Sequence, residues 1–312
     1  MLQSRHNEGR PASPFPSGEE SPTSYIFENW FDSKLARYQK VIGDLVVEID
    51  DPTQLSSAEH SALVSRVADA NMVIYQCRRT DVDQDSILQL AQQVGLRQLD
   101  ANLGANAAGL TEIRVRQTAR LQRYIPYSAR RLNWHTDGYY QPPSRRIRGM
   151  LLHCMRDADG GENFFIDHEI VFGLLYRENP AWVTALSHPK TMTIPANDDA
   201  GGKQREAQSG PVFEVDSEGL NMRYTARQKN ICWRDKPLTQ KALAALKEIL
   251  NNQRHLVVRH HLCPGQGVLS NNLLHGRHAF NHSSETSRFL YRGRFLNSVN
   301  RAAHHFPQIS FH

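Results

Sequence analysis

The sequence predicts a mainly β fold, a double-sheet jelly roll or a barrel, with α-helices packed outside the sheets. Three observations lead to this prediction. From about residue 111 the chain contains many short apolar runs of strand length, turn signals such as Gly160-Gly161 and Pro264-Gly265 separate them, and only two longer helical stretches interrupt them. Hydrophobic residues make up 39% of the 312 residues, which excludes a chain that is disordered throughout.

The chain begins with a segment that contains almost no aliphatic residues. Residues 1 to 23 are rich in Ser, Pro, Gly and Glu, so we expect a disordered lead there and a single domain over residues 24 to 312. The lead lacks the apolar stretch of a secretory signal, and no run of about 18 apolar residues occurs in the chain. Four cysteines without a Cys-x-x-Cys pair favour free thiols in a reducing compartment, the cytoplasm.

The first third of the ordered region alternates helical and strand patterns. Ser56-x-x-Glu59 has the form of a capping box, and apolar residues follow it at helical spacing. Residues 71–78 form a short apolar run typical of a strand, and residues 87–94 predict a second amphipathic helix. This region has too few residues for a core of its own, so we expect it to pack against the sheets.

The remaining two thirds of the chain are predicted to be mostly strands. Two helical stretches, over residues 168–187 and 237–252, are the exceptions. The predicted strands lie within residues 110–115, 146–154, 162–167, 191–196, 210–215, 220–226, 256–262 and 287–295.

The segment Asn133-Trp134-His135-Thr136-Asp137-Gly138 is the most informative for chemistry. Residues two apart in a strand project to the same side, so His135 and Asp137 can offer a nitrogen and an oxygen to one point. Such a mixed donor pair suits a divalent ion of the iron, cobalt or zinc type. The alternative is a surface hydrogen bond between the two side chains, because His-x-Asp also arises by chance.

A third donor is predicted 140 residues downstream, in Asn-Asn-Leu-Leu-His275-Gly-Arg. His275 would complete the two histidines and one carboxylate of a facial triad, which leaves open positions on Fe(II). His278 lies three residues further on and is the alternative third ligand.

A third motif, Arg288-Phe-Leu-Tyr-Arg292-Gly-Arg294, places three arginines at alternating positions of a predicted strand. Cations that face an interior are costly unless they meet anions, and a guanidinium is well shaped to hold a carboxylate through two hydrogen bonds. The alternative is a solvated face at a sheet edge.

Taken in order, Trp-His-Thr-Asp-Gly, the Gly-Gly turn, Asn-Asn-x-Leu-His-Gly-Arg and the arginine strand resemble the TauD/TfdA family of Fe(II)/2-oxoglutarate-dependent dioxygenases over residues 110–300. The resemblance implies a double-stranded β-helix, which is a jelly-roll core, flanked by helices. It implies that His135, Asp137 and His275 bind iron. It also implies that Arg288 binds 2-oxoglutarate and that Arg292 holds an anionic group of the substrate.

The resemblance extends to residues around these motifs. Where many family members have a threonine after the Gly-Gly turn, this chain has Asn163, whose amide can still donate a hydrogen bond to 2-oxoglutarate. Arg131 and Asn133 lie just before the His-x-Asp pair, where family members place side chains that contact the substrate. Tyr139 follows the pair and could form a wall of the substrate pocket; the alternative is that this aromatic side chain belongs to the core.

The activity that the resemblance implies is oxidation of a C–H bond in a small, anionic or zwitterionic metabolite, with Fe(II), 2-oxoglutarate and O₂ as cofactor and co-substrates. The products would be succinate, CO₂ and a hydroxylated compound, or one of the desaturation and bond-cleavage products that follow from the same C–H abstraction. The carboxylate at Asp137 disfavours halogenation, because related halogenases have a small residue there.

Three other functions remain open from the sequence. A non-catalytic jelly-roll protein would bind metal or ligand on the same scaffold, and a zinc hydrolase would use the same donors with bound water, although no HExxH-type base is present. A net charge of +5 permits a nucleic-acid substrate, but no stripe of aromatic and basic residues supports one. We therefore expect a small-molecule substrate, no nucleic-acid or membrane partner, and leave a homo-oligomer open.

Overall fold

The computed structural model describes residues 22–79, 81–100, 104–115, 125–197, 205–282, 287–300 and 306–307. Of the predicted disordered lead, residues 1–21 lie outside the described residues, and its last two residues begin the first helix. None of the helices within the described ranges is both long and apolar enough to cross a membrane.

Six α-helices surround the strands in the described part of the chain. They are α1 (Pro22–Val41), α2 (Ser57–Ala70), α3 (Gln84–Gln93), α4 (His168–Glu178), α5 (Pro180–Leu186) and α6 (Pro237–Asn252).

The strands are β1 (Val46–Ile49), β2 (Met72–Cys77), β3 (Thr111–Arg114), β4 (Leu132–His135), β5 (Gly149–Arg156), β6 (Asn163–Ile166), β7 (Met192–Ile194), β8 (Gln208–Gly210), β9 (Phe213–Asp216), β10 (Gly219–Met222), β11 (Cys232–Trp233), β12 (Val258–His260), β13 (Gln266–Ser270), β14 (Leu274–Arg277) and β15 (Phe289–Phe295).

Two sheets form the centre of the molecule. A six-stranded sheet has the order β1-β2-β13-β5-β15-β3, and a four-stranded sheet has the order β12-β6-β14-β4. All strand pairs in them are antiparallel except β1 with β2, which run parallel. Sheets of three and two strands complete the set in the described residues. The prediction of a β-rich fold with flanking helices is confirmed.

The six-stranded sheet is covered on both faces. Neighbouring side chains along its strands belong alternately to two different apolar clusters. Leu151 and Leu269 belong to one apolar cluster together with residues of α2 and α3, whereas their neighbours Leu152 and Val268 belong to a second cluster. Successive side chains of a strand point to opposite faces, so α2 and α3 cover one face. The second cluster also contains Phe165 of the four-stranded sheet, which therefore packs against the other face.

Local signals account for where several helices begin and end. Ser56 and Glu59 form the predicted capping box at the start of α2. The predicted helix over residues 168–187 is two helices instead, because Asn179 is extended (φ −161°) and caps α5, and Pro180 has no N–H for a continuous helix. The sequence patterns did not single out α1 or β1.

Candidate active site

The two ends of the predicted triad are brought together by strand pairing. His135 is the last residue of β4 and lies directly opposite His275 of β14 in the antiparallel register. Their ring centroids are 4.3 Å apart, and Oδ1 of Asp137 lies 3.9 Å from Nε2 of His135. One donor atom from each of the three residues lies within 4.8 Å of the other two, and all three residues are buried.

Backbone hydrogen bonds determine which nitrogen of each histidine faces the cluster. Nδ1 of His135 lies 2.9 Å from the carbonyl oxygen of Asn133, and Nδ1 of His275 lies 3.0 Å from that of Leu273. A carbonyl only accepts, so each Nδ1 carries the proton and each Nε2 keeps its lone pair. Burial lowers the pKa of His275, and burial together with neighbouring His275 lowers the pKa of His135 to about 3, so both rings are neutral near pH 7.

The carboxylate of Asp137 has one paired and one unpaired oxygen. Nη1 of Arg292 donates to Oδ1 over 3.3 Å, whereas Oδ2 is buried and accepts no hydrogen bond from the described residues. Burial alone would raise the pKa of Asp137, but the nearby guanidinium groups, Arg292 above all, outweigh burial and lower it, so this side chain is ionised. Two neutral imidazole nitrogens and one carboxylate oxygen are the donor set that suits Fe(II) in a facial triad, and the residues present fit such an ion.

A cavity extends from the two histidines to a buried arginine. Arg288, Asn163 and Arg292 line it together with His135 and His275. Arg288 is 4% exposed, and no carboxylate of the described residues lies within ion-pair distance of its guanidinium. Burial lowers the pKa of Arg288 to about 10, so it is still a cation near pH 7. The cavity therefore carries a buried positive charge at a fixed place beside the triad, and no carboxylate of the described residues is in contact with it.

The Gly-Gly turn and Asn163 hold Arg288 in that position. Gly160 and Gly161 both have positive φ (+82° and +74°), and a Cβ on Gly161 would lie 3.3 Å from Nε of Arg288. Nη2 of Arg288 donates to Oδ1 of Asn163 over 3.2 Å. The ring of Phe280 lies under the guanidinium, and the centroid of this ring is 5.6 Å from Cζ of Arg288. In the structure Asn163 thus orients the arginine, and its amide nitrogen is left to donate elsewhere.

The three other predicted contact residues lie away from this cavity. Arg131 and Asn133 are exposed, and Arg131 lies over the ring of Phe164. Tyr139 is buried next to Arg227 and lines a separate cavity on the other side of Asp137. His278, the alternative third ligand, does not belong to the cluster. Its Nε2 instead lies 3.1 Å from Nη1 of Arg259.

Arg294 does not line the cavity, although the sequence pattern grouped it with Arg288 and Arg292. It is 1% exposed, forms a close ion pair with Asp100, and donates to the hydroxyl of Tyr140 over 2.8 Å. Gln141 donates to the same Asp100 carboxylate. Arg294 therefore already has a counter-ion in the structure.

Two residues that hold the site together belong to the motif around His275, but the sequence alone indicated no role for them. Asn272, with φ +47°, accepts from the backbone N–H of Asp137 (2.7 Å) and donates to its carbonyl oxygen (3.0 Å). Arg277 donates to the carbonyl oxygens of Ser128 and Arg130, in the segment that leads into β4. Their place in the motif around His275 was the only local signal, because both partners are more than 130 residues away.

Comparison with protein families gives one match. The model described as "Taurine catabolism dioxygenase TauD, TfdA family" matches residues 34–294. The match covers most of the chain and includes the helical first third, where the sequence motifs were not diagnostic. No sequence among the curated proteins matches this chain.

Several solved structures are similar to this one. An asparagine oxygenase in complex with Fe(II), 2S,3S-3-hydroxyasparagine and succinate is 16% identical, with a TM-score of 0.53 over 86% of this chain and 92% of that one. The non-heme iron oxygenase OrfP in complex with Fe is 14% identical, with a TM-score of 0.56 over 90% and 93%. PvcB from Pseudomonas aeruginosa is 16% identical, with a TM-score of 0.56 over 80% and 84%. At these identities the similarity shows a shared fold.

Proposed function

This chain belongs to the TauD/TfdA family of dioxygenases, and on that premise we propose that it oxidises a C–H bond of a small, anionic or zwitterionic metabolite. The enzyme uses Fe(II), 2-oxoglutarate and O₂. The balanced reaction consumes one 2-oxoglutarate, one O₂ and one substrate, and yields succinate, CO₂ and the hydroxylated substrate.

The observation that carries the proposal is the buried charge of Arg288. A buried guanidinium without a carboxylate partner is costly, and the cost is removed when an anion binds. Arg288 lines the same cavity as His135 and His275, so an anion bound there extends toward the triad. A short dicarboxylate with an α-keto group has the matching chemistry, with one carboxylate for Arg288 and the keto acid end for the metal.

In this proposal each residue of the cavity has a defined task. His135, Asp137 and His275 hold Fe(II), which when bound supplies O₂ activation coupled to decarboxylation of 2-oxoglutarate. Arg288 binds the distal carboxylate, and Asn163 keeps its guanidinium in place. Arg292 donates to Asp137 Oδ1 and leaves its buried Nε unpaired within the described residues, so it can hold an anionic group of the substrate near the ligand set.

The remaining predicted contacts depend on the size of the substrate. A substrate that extends past the cavity toward the exposed part of β4 would contact Arg131 and Asn133. Tyr139 would form a wall on the far side of Asp137.

We also propose that the two facing sheets form a double-stranded β-helix and that residues 24–312 are one domain. The antiparallel pairing of β14 with β4 and β6, and of β5 with β13 and β15, supports this arrangement, because it places strands distant in sequence side by side.

The test is succinate release by the purified protein with Fe(II), 2-oxoglutarate and O₂ against a panel of amino acids and other small carboxylates and sulfonates. We expect release with at least one panel member and its loss in Asp137→Ala. A visible charge-transfer band on anaerobic addition of Fe(II) and 2-oxoglutarate gives a second readout that needs no substrate.

The matched control is Asp81→Ala, since Asp81 is an exposed carboxylate paired with Arg79 away from the cavity. This variant should keep both the band and the activity. Succinate release by Asp137→Ala at the unaltered rate would contradict the proposal. A protein that shows the charge-transfer band but no turnover with any panel member would be a binding protein on the same scaffold.

A further inference from the structure

A second group of metal-ligating side chains lies at the surface, and it shares no residue with the triad. Asp157, His261 and Cys263 each offer a donor atom, and these three atoms lie within 4.8 Å of one another. Asp157 and His261 are half-buried, and the free thiol Cys263 is exposed. The reaction proposed above uses none of the three.

The distance between two of the donors fits tetrahedral coordination. Nε2 of His261 lies 3.4 Å from Oδ2 of Asp157. Zinc–nitrogen and zinc–oxygen bonds of about 2.0–2.1 Å at a tetrahedral angle separate the two donors by roughly 3.3–3.4 Å. The same 3.4 Å contact is longer than most N–H···O hydrogen bonds, so a direct bond between the two side chains is weak.

The backbone holds the three residues in place independently of any ion. His261 and Cys263 belong to the short connection between β12 and β13, which closes in a turn where Gln266 N–H donates to the Cys263 carbonyl over 3.0 Å. The side chain of Gln266 accepts from the Cys263 N–H (3.1 Å), and the N–H of Gly265, with φ +82°, donates to Cys154. Asp157 directly follows β5, which pairs with β13, so the two segments meet by register.

We propose that Asp157, His261 and Cys263 form a second site for a thiophilic divalent cation of the zinc class. The thiolate, imidazole and carboxylate supply three ligands, and solvent completes the coordination because the site is open. Sulfur distinguishes it from the triad, whose donors are nitrogen and oxygen only: a soft ligand selects Zn²⁺ over Mg²⁺ or Ca²⁺. A bound cation would connect the end of β5 to the β12–β13 turn.

The test uses Co²⁺ as a spectroscopic substitute for Zn²⁺ on the full-length protein, reduced with a phosphine so that no thiol competes for the metal. A cobalt–thiolate charge-transfer band in the near ultraviolet arises only where sulfur binds. We expect this band in the unaltered protein and in Asp137→Ala, where the first site is disabled. Equilibrium dialysis should give two bound Zn²⁺ per chain in the unaltered protein and one in Asp137→Ala.

Three variants distinguish the site from other binding. Cys263→Ser should abolish the band, and His261→Ala should weaken Zn²⁺ binding at this site at least about tenfold. Cys232→Ser is the matched control, because Cys232 is also free and exposed, and it should keep the band. The proposal is overturned if the unaltered protein gives no cobalt–thiolate band or if the band persists in Cys263→Ser. Loss of the triad's own metal would leave the band unchanged, so failure of the proposed function is seen separately.

Discussion

Three arginines at alternating positions of one segment have different roles because their neighbours differ. Arg294 pairs with Asp100, which it shares with Arg145, and Arg292 faces the ionised Asp137. Arg288 has only the neutral amide of Asn163 as a side-chain hydrogen-bond partner among the described residues. The positive charge available to a ligand therefore increases from Arg294 to Arg288. This order supports the proposal that Arg288 binds the distal carboxylate of 2-oxoglutarate.

Replacement of Arg292 tests this division of labour. We expect Arg292→Ala to raise the KM for the substrate about 10- to 100-fold, which corresponds to the loss of a hydrogen bond to a charged group. The KM for 2-oxoglutarate should change much less, and Arg288→Ala should show the reverse pattern. Steady-state kinetics with each compound varied in turn provides the measurement. Equal increases in both KM values for Arg292→Ala would refute the assignment.

At the scale of elements, the turn between β13 and β14 positions the loop that follows β4. Asn272 sits in this turn in the left-handed region and forms hydrogen bonds to both backbone groups of Asp137 and to the carbonyl of Ile147. The neighbouring Asn271 connects the same turn to Asn71 at the end of α2. A single turn thus places Asp137 relative to His275, which follows Asn272 by three residues.

Asn272→Ala should weaken metal binding without unfolding the protein. The expected rise in the Kd for Mn²⁺ is about 10- to 100-fold, as is typical when a residue that orients a ligand is lost. Titration of the purified variant by calorimetry, with circular dichroism as a check of folding, measures this effect. Asn252→Ala, at the exposed end of α6, is the control and should bind Mn²⁺ like the unaltered chain. An unchanged Kd in Asn272→Ala would show that the loop holds Asp137 by itself.

At the scale of the whole molecule, a buried ion network fastens α1 to the rest of the chain. Nζ of Lys34 lies 2.7 Å from Asp167 and 2.9 Å from Glu169, and all three side chains are almost fully buried. Asn71 donates to the same Asp167 carboxylate. Burial alone would lower the pKa of Lys34, but the two carboxylates outweigh it and raise the pKa, so the lysine is charged. The network joins α1, α2 and α4, which supports one cooperative domain.

Lys34→Ala should destabilise the entire fold, because it leaves two buried carboxylates without a cation. We expect a loss of about 3–5 kcal/mol in the free energy of unfolding. The variant should still unfold in a single transition, shifted to a lower urea concentration. Circular dichroism and tryptophan fluorescence followed in parallel measure it. The matched control is Arg78→Ala, since Arg78 also pairs with two carboxylates but is exposed, and its midpoint should hardly move. Two resolved transitions in Lys34→Ala would argue against a single domain.

The local patterns of the sequence were sufficient for much of the fold and for the donor set of the site. Periodicity and turn residues predicted most of the strands and the start of α2 because these signals act over a few residues. The His-x-Asp pair and the downstream histidine predicted a triad whose three members the structure brings together; their role as iron ligands stays a prediction. The family was predicted from the order of the motifs and is confirmed by the match over residues 34–294.

Other features depended on contacts that no local pattern contains. That Arg294 pairs with Asp100, that Asn272 holds Asp137, and that Asp157 lies beside His261 all follow from pairs of residues separated by more than 100 positions. Chemical type and spacing along the chain are properties of the sequence itself, so they can be read without a structure. Which charges meet and which remain uncompensated is decided by strand register and packing, because only the folded chain sets the distances over which electrostatic forces and hydrogen bonds act.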